Sequence, residues 1–168
     1  MKDICTVSVV TFHPTWGDKE KNLKRICEYT ECAAKKGSDF VIFPEMSLTS
    51  YDDEADKPLK EKMQYKLAET IPGPSSQTVA ELAKELHINV IFGMPARDDT
   101  NPDIIYNALA VISSDGAIGS YHKMHLPAPE PNWATRGDKP FVFQTEWGPI
   151  GIAICYDNYA FPELMRYY

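Results

Sequence analysis

An α/β fold with a mixed sheet is what this sequence predicts, and three observations predict it. Apolar β-branched runs alternate with helix-patterned stretches up to about residue 96; hairpin-linked strands then follow; and no internal repeat or composition shift divides the 168 residues. The continuous run 4–12 reads as a buried strand. Residues 18–37 place Leu23, Ile26, Cys27, Thr30 and Ala34 on one helical face, with Asp18 as N-cap and Gly37 as the stop. A second buried strand is expected at 39–45, and a charged surface helix over 52–70 from the spacing of Leu59, Met63 and Leu67. The turn 71–76 ends in Ser76, a suitable N-cap for a helix at 77–87. Strands are expected at 88–96 and 104–113 around a turn at 97–103. The Ser-Asp-Gly turn at 114–116 then leads into 117–123. Strands at 141–145 and 150–155 flank a Trp-Gly-Pro turn, and 163–168 read as the first turns of a helix.

Composition narrows the class of partner. A 43% hydrophobic, 24% charged chain is ordinary for a soluble globular protein. A net charge of −7 without any basic stripe argues against nucleic acid. No apolar run approaches the roughly 20 residues of a membrane helix, and the N-terminus has the pattern of no secretory signal, so a cytoplasmic protein without a membrane partner is expected. The four cysteines form no Cys-x-x-Cys pair and are expected as free thiols, with Cys5, Cys27 and Cys32 as packing residues.

Three junctions carry candidate chemistry. The apolar run 149–155 delivers Cys155 to a polar break, the run 39–45 ends at Glu45, and the strand 117–123 ends at Lys123. Open α/β sheets present their chemistry at such carboxyl edges. A thiol is mostly protonated at neutral pH and its thiolate is the nucleophile, so Cys155 needs a base or a positive neighbour. Glu45 suits the base and Lys123 the charge beside a developing oxyanion, shared with the backbone N–H that follows Cys155. Attack on an amide or nitrile carbon, through a thioester-type intermediate, fits that set.

These residues sit in motifs that resemble the carbon-nitrogen hydrolase (nitrilase) superfamily, over essentially the whole chain. FPEMSLTSYD (43–52) is similar to the family's glutamate motif, YHKMHLP (121–127) to its lysine motif, and GIAICYDNYAFPE (151–163) to its cysteine motif, in the family's order. His122 stands where the family usually has Arg and Ser50 where Gly is common, and Cys155 and Phe161 are separated by one residue more than the commonest spacing. The resemblance implies a four-layer α-β-β-α sandwich, incomplete at its C-terminus, in which residues 1–168 are the N-terminal portion of a longer single domain. It implies a Glu45-Lys123-Cys155 triad that works without cofactor or metal, and a homodimer or larger homo-oligomer. A second glutamate, Glu130, falls where many amidase-like members place one to position substrate or orient water. Trp133 and Tyr156 are candidate substrate contacts, although a packed loop aromatic explains Trp133 equally well.

The expected activity is hydrolysis of a small amide, with N-carbamoyl compounds and nitriles as alternatives; the Cys-Tyr-Asp context looks more amidase-like than nitrilase-like. A different class remains open: a non-catalytic binding or assembly module that keeps the motifs by ancestry. A papain-like Cys–His pair is disfavoured because no His follows position 155. His122 and His125 flank Lys123 without Cys or carboxylate at structural zinc spacing, and no Gly-rich phosphate loop exists. His125 is expected as a positioning residue near the triad, and Asp157 as a structural hydrogen-bond acceptor.

Overall fold

The computed structural model describes residues 2–51 and 54–168. Its centre is a five-stranded sheet ordered β1 (Val7–Val9), β2 (Phe40–Ile42), β3 (Asn89–Arg97), β4 (Ile105–Ile112) and β5 (Ile118–His122). The first three strands run parallel and the last three antiparallel, so the sheet is mixed as the alternation followed by hairpins predicts. Helices α1 (Lys19–Lys35) and α3 (Pro74–Leu86) cover one face, where Val41, Phe43, Val90, Phe92, Met94, Ala110 and Ile112 meet Ile26, Ala33, Val79 and Ala83. On the other face Ile91, Leu109, Val111 and Tyr121 pack against Ile152, Ile154 and Leu164. Ile152 ends β7 (Gly148–Ile152), which pairs antiparallel with β6 (Phe141–Thr145); Ile154 lies between β7 and the short helix α4 (Tyr156–Tyr159), and Leu164 lies on α5 (Pro162–Tyr167). The architecture is α/β, a mixed five-stranded sheet stacked against a two-stranded antiparallel pair.

Several elements differ from the sequence expectation, each for a physical reason. The run 4–12 forms only the three-residue β1, and it is not buried: Ile4, Val7 and Val9 are exposed. β1 is the outermost strand, and the β6–β7 pair packs at Phe40 without reaching Val9. Helix α1 matches closely, with Asp18 Oδ1 accepting from Lys21 N at 3.1 Å. Its buried stripe is Asn22, Ile26, Thr30 and Ala33; Cys32 lies off that stripe and is exposed, against the packing role expected of it. The helix expected over 52–70 is a 3₁₀ turn (Leu59–Glu61) and a five-residue helix α2 (Met63–Leu67), because Lys62 between them is extended. The part of that expectation on residues 52–53 lies outside the described residues. Helix α3 starts at Pro74 rather than after Ser76. Proline suits a first helical turn, and Ser76 Oγ accepts from Gly73 N at 2.8 Å as the third residue of the helix. At the far end, the β7 ladder stops at Ile152, so Cys155 stands three residues beyond the strand that was expected to reach it.

Among the described residues no helix is long and apolar enough to cross a membrane.

Candidate active site

Glu45 is carried on the turn that follows β2. That turn can lie flat on β3 because β3 has a glycine there: a Cβ on Gly93 would stand 2.3 Å from Met46 N and 2.8 Å from Glu45 Cα. Ser47 Oγ and Leu48 N both bond the Gly93 backbone, and Asn22, fully buried on α1, donates to Leu48 O at 3.0 Å. The carboxylate of Glu45 is thereby held on a clamped segment rather than a free loop.

Lys123 follows β5 by one residue and is locked on both backbone sides. Its N–H donates to Asn107 O at 2.8 Å and its carbonyl accepts from Gly137 N at 2.8 Å. Gly137 comes so close that a Cβ would fall 2.2 Å from His122 O. The Lys123 side chain is completely buried, and its Nζ donates to Glu45 Oε1 at 2.7 Å and to Glu130 Oε1 at 2.5 Å. Burial alone would lower its pKa, but the hydrogen bonds and charges of Glu130 and Glu45 outweigh it and hold the amine above its ordinary value. Lys123 is therefore a fixed cation, not a base.

The two carboxylates are treated differently. Glu130, on a 3₁₀ turn (Glu130–Asn132), is 1% exposed and accepts from Lys123, from Tyr51 Oη at 2.6 Å and from Asn107 Nδ2 at 3.1 Å. Glu45 accepts from Lys123 and from Asn107 Nδ2 (2.6 Å) through Oε1 alone, keeps Oε2 free of hydrogen bonds among the described residues, and is 21% exposed. One ammonium faces two carboxylates, and Glu45 is the more exposed of the pair. Burial and then Glu130 push the Tyr51 phenol well up, so it remains a neutral donor.

Cys155 occupies a backbone turn at φ 43°, ψ −102°, immediately before α4. Non-glycine residues seldom adopt a positive φ, and the conformation here leaves the thiol exposed. Asp157, two residues on and fully buried, fixes this elbow. It accepts from Tyr121 Oη (2.8 Å), His125 N (2.9 Å) and Ile154 N (3.3 Å), and lies 2.8 Å from His125 Nδ1. His125 is in turn stacked on Phe161 at 3.8 Å. One carboxylate thus joins the strand end that carries Lys123 to the turn that carries Cys155. Cys155 makes no hydrogen bond to Glu45 or Lys123 among the described residues; its Sγ lies 3.8 Å from Tyr159 Oη.

The structure brings Glu45, Lys123 and Glu130 into direct contact, and Asn107 and Tyr51 join them although neither was singled out in the sequence. Asn107 carried a usable signal, as a polar residue inside the apolar run of β4. Tyr51 lies inside the glutamate motif 43–52 and was assigned no role there. Trp133 is 3% exposed, packed with Met46, Ile105 and Ala134. Tyr156 is half-buried, edge-on to Phe161 and Tyr159. His122 and His125 diverge: His122 stacks on Tyr106 at 3.9 Å, on the helix-covered side of the sheet. Among the described residues no group of three His, Cys, Asp or Glu side chains is placed to hold a metal.

His122 gives a pH prediction. Burial lowers its pKa from the ordinary 6.5, against the opposing charges of Asp98, Asp138 and Asp99. Below about pH 6.5 the unfolded chain binds a proton that the folded one refuses, so stability falls as pH drops through that value. A His122→Phe variant, which keeps the stack on Tyr106, is expected to lose less thermal stability between pH 7 and pH 5 than the parent. Equal losses would contradict this.

The carbon-nitrogen hydrolase profile matches residues 6–168. The chain belongs to that family. This carbon-nitrogen hydrolase is 32% identical to Omega-amidase NIT2 of Homo sapiens, over 89% of the present chain and 54% of that protein. It is 29% identical to a nitrilase of Pyrococcus abyssi, over 95% of the present chain and 58% of that one. The chain thus spans little more than half the length of the curated relatives it matches. Among solved structures, Nit3 of Saccharomyces cerevisiae superposes with a TM-score of 0.80 at 27% identity, over 95% of this chain and 58% of that one. An amidase from Nesterenkonia sp. has the same fold, with a TM-score of 0.78 at 19% identity over 96% and 59% of the two chains.

Proposed function

We propose that this hydrolase cleaves the C–N bond of a small amide with Cys155 as nucleophile, Glu45 as general base and acid, and Lys123 as oxyanion donor. The observation that carries the reading is the fully buried Lys123 ammonium held between Glu45 and Glu130. An ammonium has three N–H donors; two go to the glutamates and one remains for substrate. Glu45 takes the thiol proton and Cys155 Sγ attacks the carbonyl carbon. The oxyanion is stabilised by Lys123 and by the backbone N–H of Tyr156. Glu45 then returns the proton to the departing ammonia, leaving a thioester on Cys155. Water enters and attacks the thioester carbon as Glu45 removes its proton. Collapse of the second tetrahedral intermediate breaks the C–S bond, Glu45 returning the proton to the departing sulfur to leave the carboxylic acid and the free thiol. Glu130, with all its neighbours pointing donors at it, holds Lys123 in place rather than exchanging protons. The Cys-Tyr-Asp context favours amides over nitriles, while the named relatives include both an omega-amidase and a nitrilase.

Ammonia release from a panel of small amides, N-carbamoyl compounds and nitriles tests this directly. Turnover is expected on amides, falling at least about a thousandfold in Cys155→Ser. A serine variant with undiminished amide hydrolysis would remove the nucleophile. Sluggish Cys155 alkylation matching the other thiols, together with no turnover of any kind, would favour a binding module.

A further inference from the structure

The extra residue between Cys155 and Phe161 has a local consequence that the catalytic reading leaves unused. Cys155 enters a single helical turn, with Asn158 N bonded to Cys155 O at 2.9 Å. Residues four apart on such a turn share a face, and the residue four past Cys155 is Tyr159. Its Oη lies 3.8 Å from Cys155 Sγ, and the sulfur is its hydrogen-bond partner among the described residues. The ring is 73% exposed, so packing does not explain its presence. It is braced edge-on against Tyr156 at 5.6 Å, which is itself edge-on to Phe161 at 5.3 Å.

The geometry points to Tyr159 as a positioning residue whose hydroxyl donates a hydrogen bond to the Cys155 thiolate, holding the sulfur in its attacking orientation and favouring its charged form. The inference rests on Cys155 being the nucleophile. The hydroxyl suits the task. Its hydrogen bond to Cys155 and the charge there keep the phenol above its ordinary value, so it stays a donor when the thiol ionises. Lys123 is committed to two carboxylates, so Tyr159 is the donor in hydrogen-bond range of the resting sulfur. When Sγ acylates, it loses its negative charge and the bond weakens. The hydroxyl thus favours the free thiolate over the thioester and assists thiolate departure at deacylation.

Alkylation of Cys155 by iodoacetamide, followed by peptide mass across pH 5–9, reads the thiolate without any amide substrate. In Tyr159→Phe the ring and its bracing remain. The expected result is labelling of Cys155 slowed about three- to tenfold at pH 7, as befits one partly solvated charge-assisted bond, with the rate–pH curve displaced upward. Labelling of Cys5, Cys27 and Cys32 and the thermal midpoint stay unchanged. A labelling curve that superposes on the parent's, or lies below it in pH, overturns the proposal. Failure of amide turnover in the parent would instead count against the hydrolase reading, and the labelling result would stand apart from it.

Discussion

Replacing Lys123 with methionine is expected to abolish amide turnover and to destabilise the fold by about 3–5 kcal/mol, the usual consequence of removing one partner from a buried charge cluster. Methionine fills nearly the same volume, so the loss is electrostatic. Glu45 and Glu130, now bridged by Lys123 Nζ and Asn107 Nδ2, would face each other with only the amide between them. Glu130 is 1% exposed and has no route to water for its charge. A second substitution separates the two consequences. Adding Glu130→Gln to Lys123→Met removes the like charge and should recover much of the thermal stability while recovering no activity. Chemical denaturation of the parent, the single and the double variants, beside ammonia release, checks both. A Lys123→Met protein as stable as the parent would show that the cluster does not hold a buried cation, and the oxyanion role would go with it.

How far the sequence foretold this arrangement depended on whether local pattern or long-range packing decided each element. The strand expected at 141–145 coincides with β6, whose alternate residues Phe141 and Phe143 pack on the core while Val142 is exposed. The β-branched run at 4–12 identified a strand but not its burial, because edge position is set by the order of all five strands. Charged spacing over 52–70 suggested a helix that the extended backbone at Lys62 interrupts. In the site, Glu45 and Lys123 were named as strand-end residues and Glu130 from motif resemblance, and the three meet in space. Asn107 could be noticed as a polar residue in an apolar run, but nothing in Tyr-Asn-Ala says that this amide will bridge two carboxylates 62 and 23 residues away. The structural role expected of Asp157 was correct in kind, but its reach to Tyr121 and His125 is a tertiary fact.

That reach makes Asp157→Asn the second large effect. Each Asp157 oxygen accepts from two donors: Oδ1 from His125 N, with His125 Nδ1 at 2.8 Å, and Oδ2 from Tyr121 Oη and Ile154 N. A carboxylate only accepts, so Nδ1 carries the proton. An asparagine amide has one acceptor oxygen, and its NH₂ must turn toward donors already buried there. Each donor left unmatched costs about 1–3 kcal/mol, so a large drop in thermal midpoint is expected. The functional consequence comes through the elbow. Ile154 N and the α4 turn lose their anchor, the positive-φ conformation of Cys155 is no longer enforced, and selective alkylation at Cys155 should slow toward the rate of Cys32, which is exposed on α1. Tyr121→Phe on the Asp157→Asn background removes one of the opposed donors and should restore part of the stability. With the NH₂ turned to that side the amide oxygen keeps the His125 contact, but Ile154 N stays unmatched, so the Cys155 turn stays without its anchor. Recovery of stability without recovery of Cys155 labelling would show that Asp157 serves the nucleophile as well as the core. If both return together, its role is packing alone.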